Sequence, residues 1–78
     1  MIYPYMNPKT AINVVPSNSG VFDPPILLFV NIGGNVRVHP AAGGSAVTFA
    51  VKSGSWIPLI CRTVYASGTT ADGIIGLK

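Results

Sequence analysis

The clearest pattern in the chain is Val36-Arg37-Val38-His39. Apolar and polar residues alternate with a period of two, which predicts a half-buried strand with Val36 and Val38 inward and Arg37 and His39 outward. Pro40 ends it. The same period recurs at Val47, Phe49 and Val51, with Thr48, Ala50 and Lys52 on the opposite face. Ile26–Ile32 is different, being continuously apolar except for Asn31. Such a run predicts burial on both faces, so this strand is either central or has one face used in assembly. A first strand is predicted at residues 11–15, ended by Pro16. Residues 56–59 read as extended, with Pro58 marking an edge or a bulge. Residues 60–66 form a further strand, and residues 74–77 a short last one.

The breakers between these runs fix the rest. Nine glycines and seven prolines interrupt the chain every few residues, and no window keeps a 3.6-residue period for three turns. Ser17-Asn18-Ser19-Gly20, Gly43-Gly44 and Ser53-Gly54-Ser55 read as turns. Gly33-Gly34 reads as a two-residue hairpin turn between the second and third strands. The fold class is therefore all-β: one small antiparallel β-sandwich or barrel of six to seven short strands. It spans residues 11–78. Residues 1–10, with Pro4 and Pro8 and no alternation, form an extended N-terminal arm. Tyr3 and Tyr5 would be wasted on a free tail, so the arm is expected to lie against a neighbour.

Composition changes this picture in one respect. A 78-residue chain is a single domain, and one this small buries only about 60% of its unfolded surface. It needs disulfides, a metal or partners. Cys61 is the only cysteine, which excludes an internal disulfide. His39, Cys61, Asp23 and Asp72 offer no pair at metal-ligand spacing. Partners remain. Charged residues make up 9% of the chain, against roughly 25% in ordinary domains. Hydrophobic residues make up 49%, so part of the surface is expected to be covered by other subunits. The net charge of +3 comes from five dispersed cations, with no basic patch of the kind nucleic acid requires. No apolar run approaches the roughly 20 residues of a membrane span, and the first residues lack a signal-peptide pattern. The free thiol fits assembly in a reducing cytoplasm.

Candidate chemistry is sparse. Asp23-Pro24 and Asp72-Gly73 read as turn dipeptides rather than as an acid/base pair. One histidine in an alternating strand, with no glycine-flanked nucleophile turn, predicts no catalytic triad. Cys61 reads as a small buried hydrophobe and Trp56 as a core or interface anchor. Ser67-Gly68-Thr69-Thr70 has the residue types of an anion cradle, but it lacks a lysine and opens no helix. Its hydroxyls are expected to satisfy nearby backbone groups. No catalytic residue, cofactor or metal is expected. The candidate interface residues are Tyr3, Tyr5, Arg37, His39, Trp56 and Arg62. A competing reading is a small non-enzymatic ligand-binding module, lined by Arg37, His39, Trp56 and Tyr65.

The order of short motifs resembles a known family. Val14-Val15-Pro16-Ser17 is followed by Gly43-Gly44-Ser45-Ala46-Val47-Thr48-Phe49, by Ile57-Pro58-Leu59, and by Ala66-Ser67-Gly68-Thr69-Thr70-Ala71. This series, over residues 11–77, resembles the head spike base proteins of gene transfer agents and related tailed phages. The resemblance implies a structural virion protein on the capsid exterior, assembled in the host cytoplasm. It implies a homo-oligomer, trimer or pentamer, that binds the major capsid protein and carries a spike fibre protein. Nucleic acid and membrane are not expected partners. Two departures stand out: the arm is its own, and Cys61-Arg62 replaces a more basic stretch. The same domain would also suit a decoration, tail or baseplate protein.

Overall fold

Six strands form at the alternating segments: β1 (Ala11–Asn13), β2 (Ile26–Ile32), β3 (Gly34–Pro40), β4 (Val47–Val51), β5 (Ser55–Val64) and β6 (Asp72–Leu77). The computed structural model describes residues 9–78. Tyr3, Tyr5 and most of the expected arm lie outside the described residues. Of the arm, Lys9 and Thr10 are described. Their amides both donate to the Lys78 carbonyl, at 2.9 and 2.8 Å, which carries the β1–β6 ladder past the end of the strand.

All pairings are antiparallel, and the strands form one sheet in the order β1-β6-β2-β5-β3-β4. The all-β antiparallel class holds, with an open sheet rather than a closed barrel. Ile26, Leu28 and Val30 of β2, Val36 and Val38 of β3, and Ile57 and Cys61 of β5 are 0% exposed and belong to one cluster. Val64, Ile74, Val14 and Ala71 complete it. A flat sheet could not enclose side chains from β2 and β3 together, because β5 lies between them. The sheet therefore curls over its own inner face, as two stacked layers would, within extents of 29 × 25 × 19 Å. Each such aliphatic side chain contributes roughly 1.5–3 kcal/mol on burial.

Gly76 shows how tightly β6 is packed between its two neighbouring strands. A Cβ there would stand 2.6 Å from Ile26 Cδ1 and 3.0 Å from Val14 Cγ2. Only glycine lets β6 approach that closely.

Three expectations are corrected. Gly33-Gly34 is not a hairpin turn, for β2 and β3 do not pair. Both edges of β2 are already taken, by β5 and β6. The chain instead crosses to the other edge of β5, and the Gly33 amide donates to Ser53 Oγ at 2.9 Å. A Cβ on Gly34 would meet the Ala71 nitrogen at 2.8 Å, so the crossing needs glycine for close approach. Second, the two segments read at 56–59 and 60–66 are one strand, β5. Its register against β2 shifts between Leu28↔Ile57 and Ile26↔Cys61, and this bulge absorbs Pro58. Third, the first strand stops at Asn13, although the Val14 amide still donates to the Ile74 carbonyl at 2.9 Å. Val15 is 80% exposed.

The Ile26–Ile32 run is central, as its composition demands. Leu27, on the face turned away from the core, is also buried.

Candidate functional site

With the inner face filled, the surfaces left for chemistry lie on the outer face of the sheet. Pairing registers divide it into two regions.

The first region covers β6, β2 and the start of β5. Directly opposed residues share a face, so Leu27↔Leu77, Phe29↔Ile75 and Phe29↔Trp56 bring five apolar side chains together. The rings of Phe29 and Trp56 meet edge to face, with centroids 5.0 Å apart and planes at 69°. Such a pair is worth about 0.5–1.5 kcal/mol beyond its buried area. Leu27 is buried, and the other four are half-buried. Trp56 is thus an aromatic anchor on an outer apolar row, not a member of the core cluster.

The second region covers β3, β4 and the end of β5. Arg37 and His39 project outward from β3, as the alternation requires, while Val36 and Val38 are 0% exposed. Arg37 opposes Thr48 of β4, and His39 opposes Thr63 of β5. The Arg37 guanidinium carbon lies 4.9 Å from the centre of the Tyr65 ring. That stacking is worth about 0.5–1 kcal/mol where partly exposed. The Tyr65 amide donates to the Arg37 carbonyl at 2.8 Å, which keeps ring and guanidinium in register. The stem of Arg37 also packs against Gly68, where a Cβ would stand 3.0 Å from its Cδ. On the His39 ring, Nδ1 donates to the Pro40 carbonyl at 2.9 Å, which leaves Nε2 for another partner.

The Ser-Gly-Thr-Thr loop lies against this second region. Thr69 Oγ1 accepts from the Arg37 amide at 3.0 Å, and Thr70 Oγ1 accepts from the Asn35 amide at 2.9 Å. The Thr70 and Ala71 amides donate to the Asn35 carbonyl at 2.8 and 3.1 Å. The hydroxyls serve backbone groups as expected, but on a strand more than thirty residues away rather than locally. Both oxygens thus brace β3.

The candidate residues therefore do not form one constellation. Arg37, His39 and Tyr65 come together; Trp56 does not join them. It lies at the start of β5 and Tyr65 just past its end, and at roughly 3.3 Å per residue the strand separates them by most of the molecule's length. The ligand face imagined from Arg37, His39, Trp56 and Tyr65 is split in two. Arg62 is exposed on β5. The sequence pattern does not single out Phe29, nor does it show the long-range partner of Thr69. Phe29 sits in a continuous apolar run that hides its face, and Thr69 acts through a contact that no local pattern encodes.

Cys61 is 0% exposed, and its thiol donates to the Leu59 carbonyl at 3.3 Å. Burial pushes its pKa up from 9.0 to about 12, the opposite of an activated nucleophile. Asp72 Oδ1 accepts from the Gly73 amide at 2.8 Å, a turn contact. Among the described residues, no three of His, Cys, Asp and Glu are grouped to hold a metal ion.

No family model and no curated protein matches the chain. A solved structure does: a chain of the structure described as the capsid of a native GTA particle computed with C5 symmetry. It superposes with a TM-score of 0.79 at 25% identity, over 100% of this chain and 92% of that one. The chain is therefore similar, along its whole described sheet and beyond, to a domain found in a phage-like capsid.

Proposed function

We propose that this protein is a structural subunit of a gene transfer agent or tailed-phage capsid, of the head spike base or decoration type. The observation that carries the reading is the full-length fold match to a capsid chain, with 92% of that chain covered. A match of this extent leaves no additional domain in the neighbour to account for its presence in the particle. The motif order from Val14 to Ala71 supports the same class independently.

The physical character of the surface supports it too. The outer apolar row suits contact with other subunits, since aromatic anchors concentrate at protein interfaces. Only 9% of the residues are charged, so a subunit left in isolation would show water an unusually neutral surface. We infer a homo-oligomer seated on the outside of the shell against the major capsid protein, with a fibre protein as a further partner. The C5 symmetry of the neighbour's particle applies to all its chains, and so does not select between trimer and pentamer. Tyr3, Tyr5, Trp56 and Arg62 are proposed interface positions.

The test is incorporation. An epitope-tagged chain, expressed in cells that produce the particles, is expected to co-purify with them through density-gradient sedimentation at a fixed ratio to the major capsid protein. A tagged chain that stays at the top of the gradient while particles form normally contradicts the reading.

A further inference from the structure

We propose that the outer face of β3, centred on Arg37, is a docking surface for an acidic segment of a partner protein. Arg37 is held at several points along its length. Its guanidinium stacks on Tyr65 at 4.9 Å, and its stem lies along Gly68. Its own amide and carbonyl are taken by Thr69 Oγ1 at 3.0 Å and the Tyr65 amide at 2.8 Å. The strand position and the side-chain direction are thus both fixed before any partner arrives. Such preorganisation lowers the ordering cost of binding. A stacked guanidinium still presents its edge N–H donors, in a fork that fits a carboxylate bidentately.

Charge complementarity identifies the occupant. The chain has five Lys and Arg residues but only two Asp and Glu. Asp72 is in a turn contact with Gly73, and the net charge is +3. With few carboxylates in the chain, an acidic segment complements this face, whereas a basic one would be repelled. Around Arg37 the same face offers His39, whose Nε2 is left over once Nδ1 has bonded Pro40, and the exposed hydroxyl of Thr48 opposite Arg37. Arg37 supplies the charge that meets the carboxylate, and His39 Nε2 and the Thr48 hydroxyl lie on the same face to meet backbone polar groups of the segment. The apolar row at the other end of β5 offers nothing comparable. This inference deepens the assembly reading by giving the chemistry of one partner contact, and it rests on that reading for where the partner is met.

The test uses the purified chain and a synthetic hexaglutamate peptide, followed by ¹H–¹⁵N NMR. Wild-type protein is expected to show saturable shifts at the Arg37 Nε–H and the Tyr65 amide. Arg37→Gln is expected to raise half-saturation at least tenfold, in line with the loss of a charge-assisted bond. Lys52→Gln, with the same change in net charge, is expected to change it less than twofold. Both variants must keep wild-type thermal unfolding. Arg37→Lys, which keeps the charge and loses the fork, is expected to fall between. If Lys52→Gln weakens binding as much as Arg37→Gln, the attraction is diffuse and the proposal fails. It fails equally if the peptide shifts neither Arg37 nor Tyr65, or if hexametaphosphate competes at equal charge concentration with full displacement at Arg37, which would mark a general anion site. Particle incorporation of the wild-type chain is scored separately. Its failure would remove the assembly reading while leaving the peptide result to stand by itself.

Discussion

The two outer regions of the sheet differ more than their common inner face would suggest. Both rest on the same continuous layer of Ile26, Leu28, Val30, Val36, Val38 and Ile57. Over β6 and β2, the outward residues are Leu27, Phe29, Trp56, Ile75 and Leu77; over β3 and β4 they are Asn35, Arg37, His39, Thr48 and Ala50. Burial on the inner face decides that the chain folds. The outer face is free of that demand, so its divergence reflects what each region meets. An apolar row suits broad contact that excludes water. A fixed arginine in a polar field suits one oriented charge contact. A freely soluble domain would have little reason to keep the first.

The comparison can be broken or sharpened by mutation, starting with the inner layer that both regions share. Leu28→Ala is expected to cost about 2–5 kcal/mol, as other buried leucine truncations do. In a domain this small, that should unfold both regions together in a single transition by circular dichroism. Loss of one region alone would mean that they fold separately. A pH titration probes the same layer. The Cys61 thiol has a folded pKa raised from 9.0 to about 12, so the folded state keeps a proton that the unfolded chain releases. The resulting stability is fully present below pH 9 and is lost as pH rises toward 12. The unfolding free energy from urea titration should therefore fall in this window by up to about 1.4 kcal/mol per pH unit, and Cys61→Val should remove that component.

Smaller effects should separate the regions. Trp56→Leu keeps an apolar side chain but removes the edge-to-face pair, and is expected to cost about 0.5–1.5 kcal/mol. The NMR shifts should change around Phe29 and Ile75 but not around Arg37. Thr70→Val removes the acceptor of the Asn35 amide and is expected to cost roughly 1 kcal/mol. Its signature is faster hydrogen exchange at Asn35, with β2 and β6 unaffected. If either variant disturbs the other region to the same degree, the division of the outer face is wrong.

How much of this was legible in the sequence follows the range of the interactions. The alternation at Val36–His39 is a property of adjacent residues, and it correctly sent Arg37 and His39 outward. The continuous run at Ile26–Ile32 marked a central strand because composition alone encodes two-sided burial. Strand order was not legible, since five of the six strands find a spatial neighbour that is not next to them in the chain. The Gly33-Gly34 misreading has that origin: glycine pairs mark both hairpins and tight crossings, and only the prior occupation of β2's edges decides between them. At Pro58 the sequence leaves an edge or a bulge open; the structure has a bulge, which lets residues 56–59 and 60–64 continue as one strand. The hydroxyls of Thr69 and Thr70 were assigned the right kind of partner at the wrong distance. The cluster of Arg37 with Tyr65 depends on β3–β5 register, which no short motif carries.

The claim that this is a capsid subunit is tested most directly by imaging purified particles that contain the chain. A cryo-electron reconstruction of wild-type particles, compared with particles from cells lacking the gene, should show a difference density on the outer shell. The account predicts that the six-stranded domain fits this density in several symmetry-related copies, with the Phe29–Trp56 row or the Arg37 face against a neighbouring subunit. Identical reconstructions from the two strains, with the chain recovered only as free protein, would contradict it.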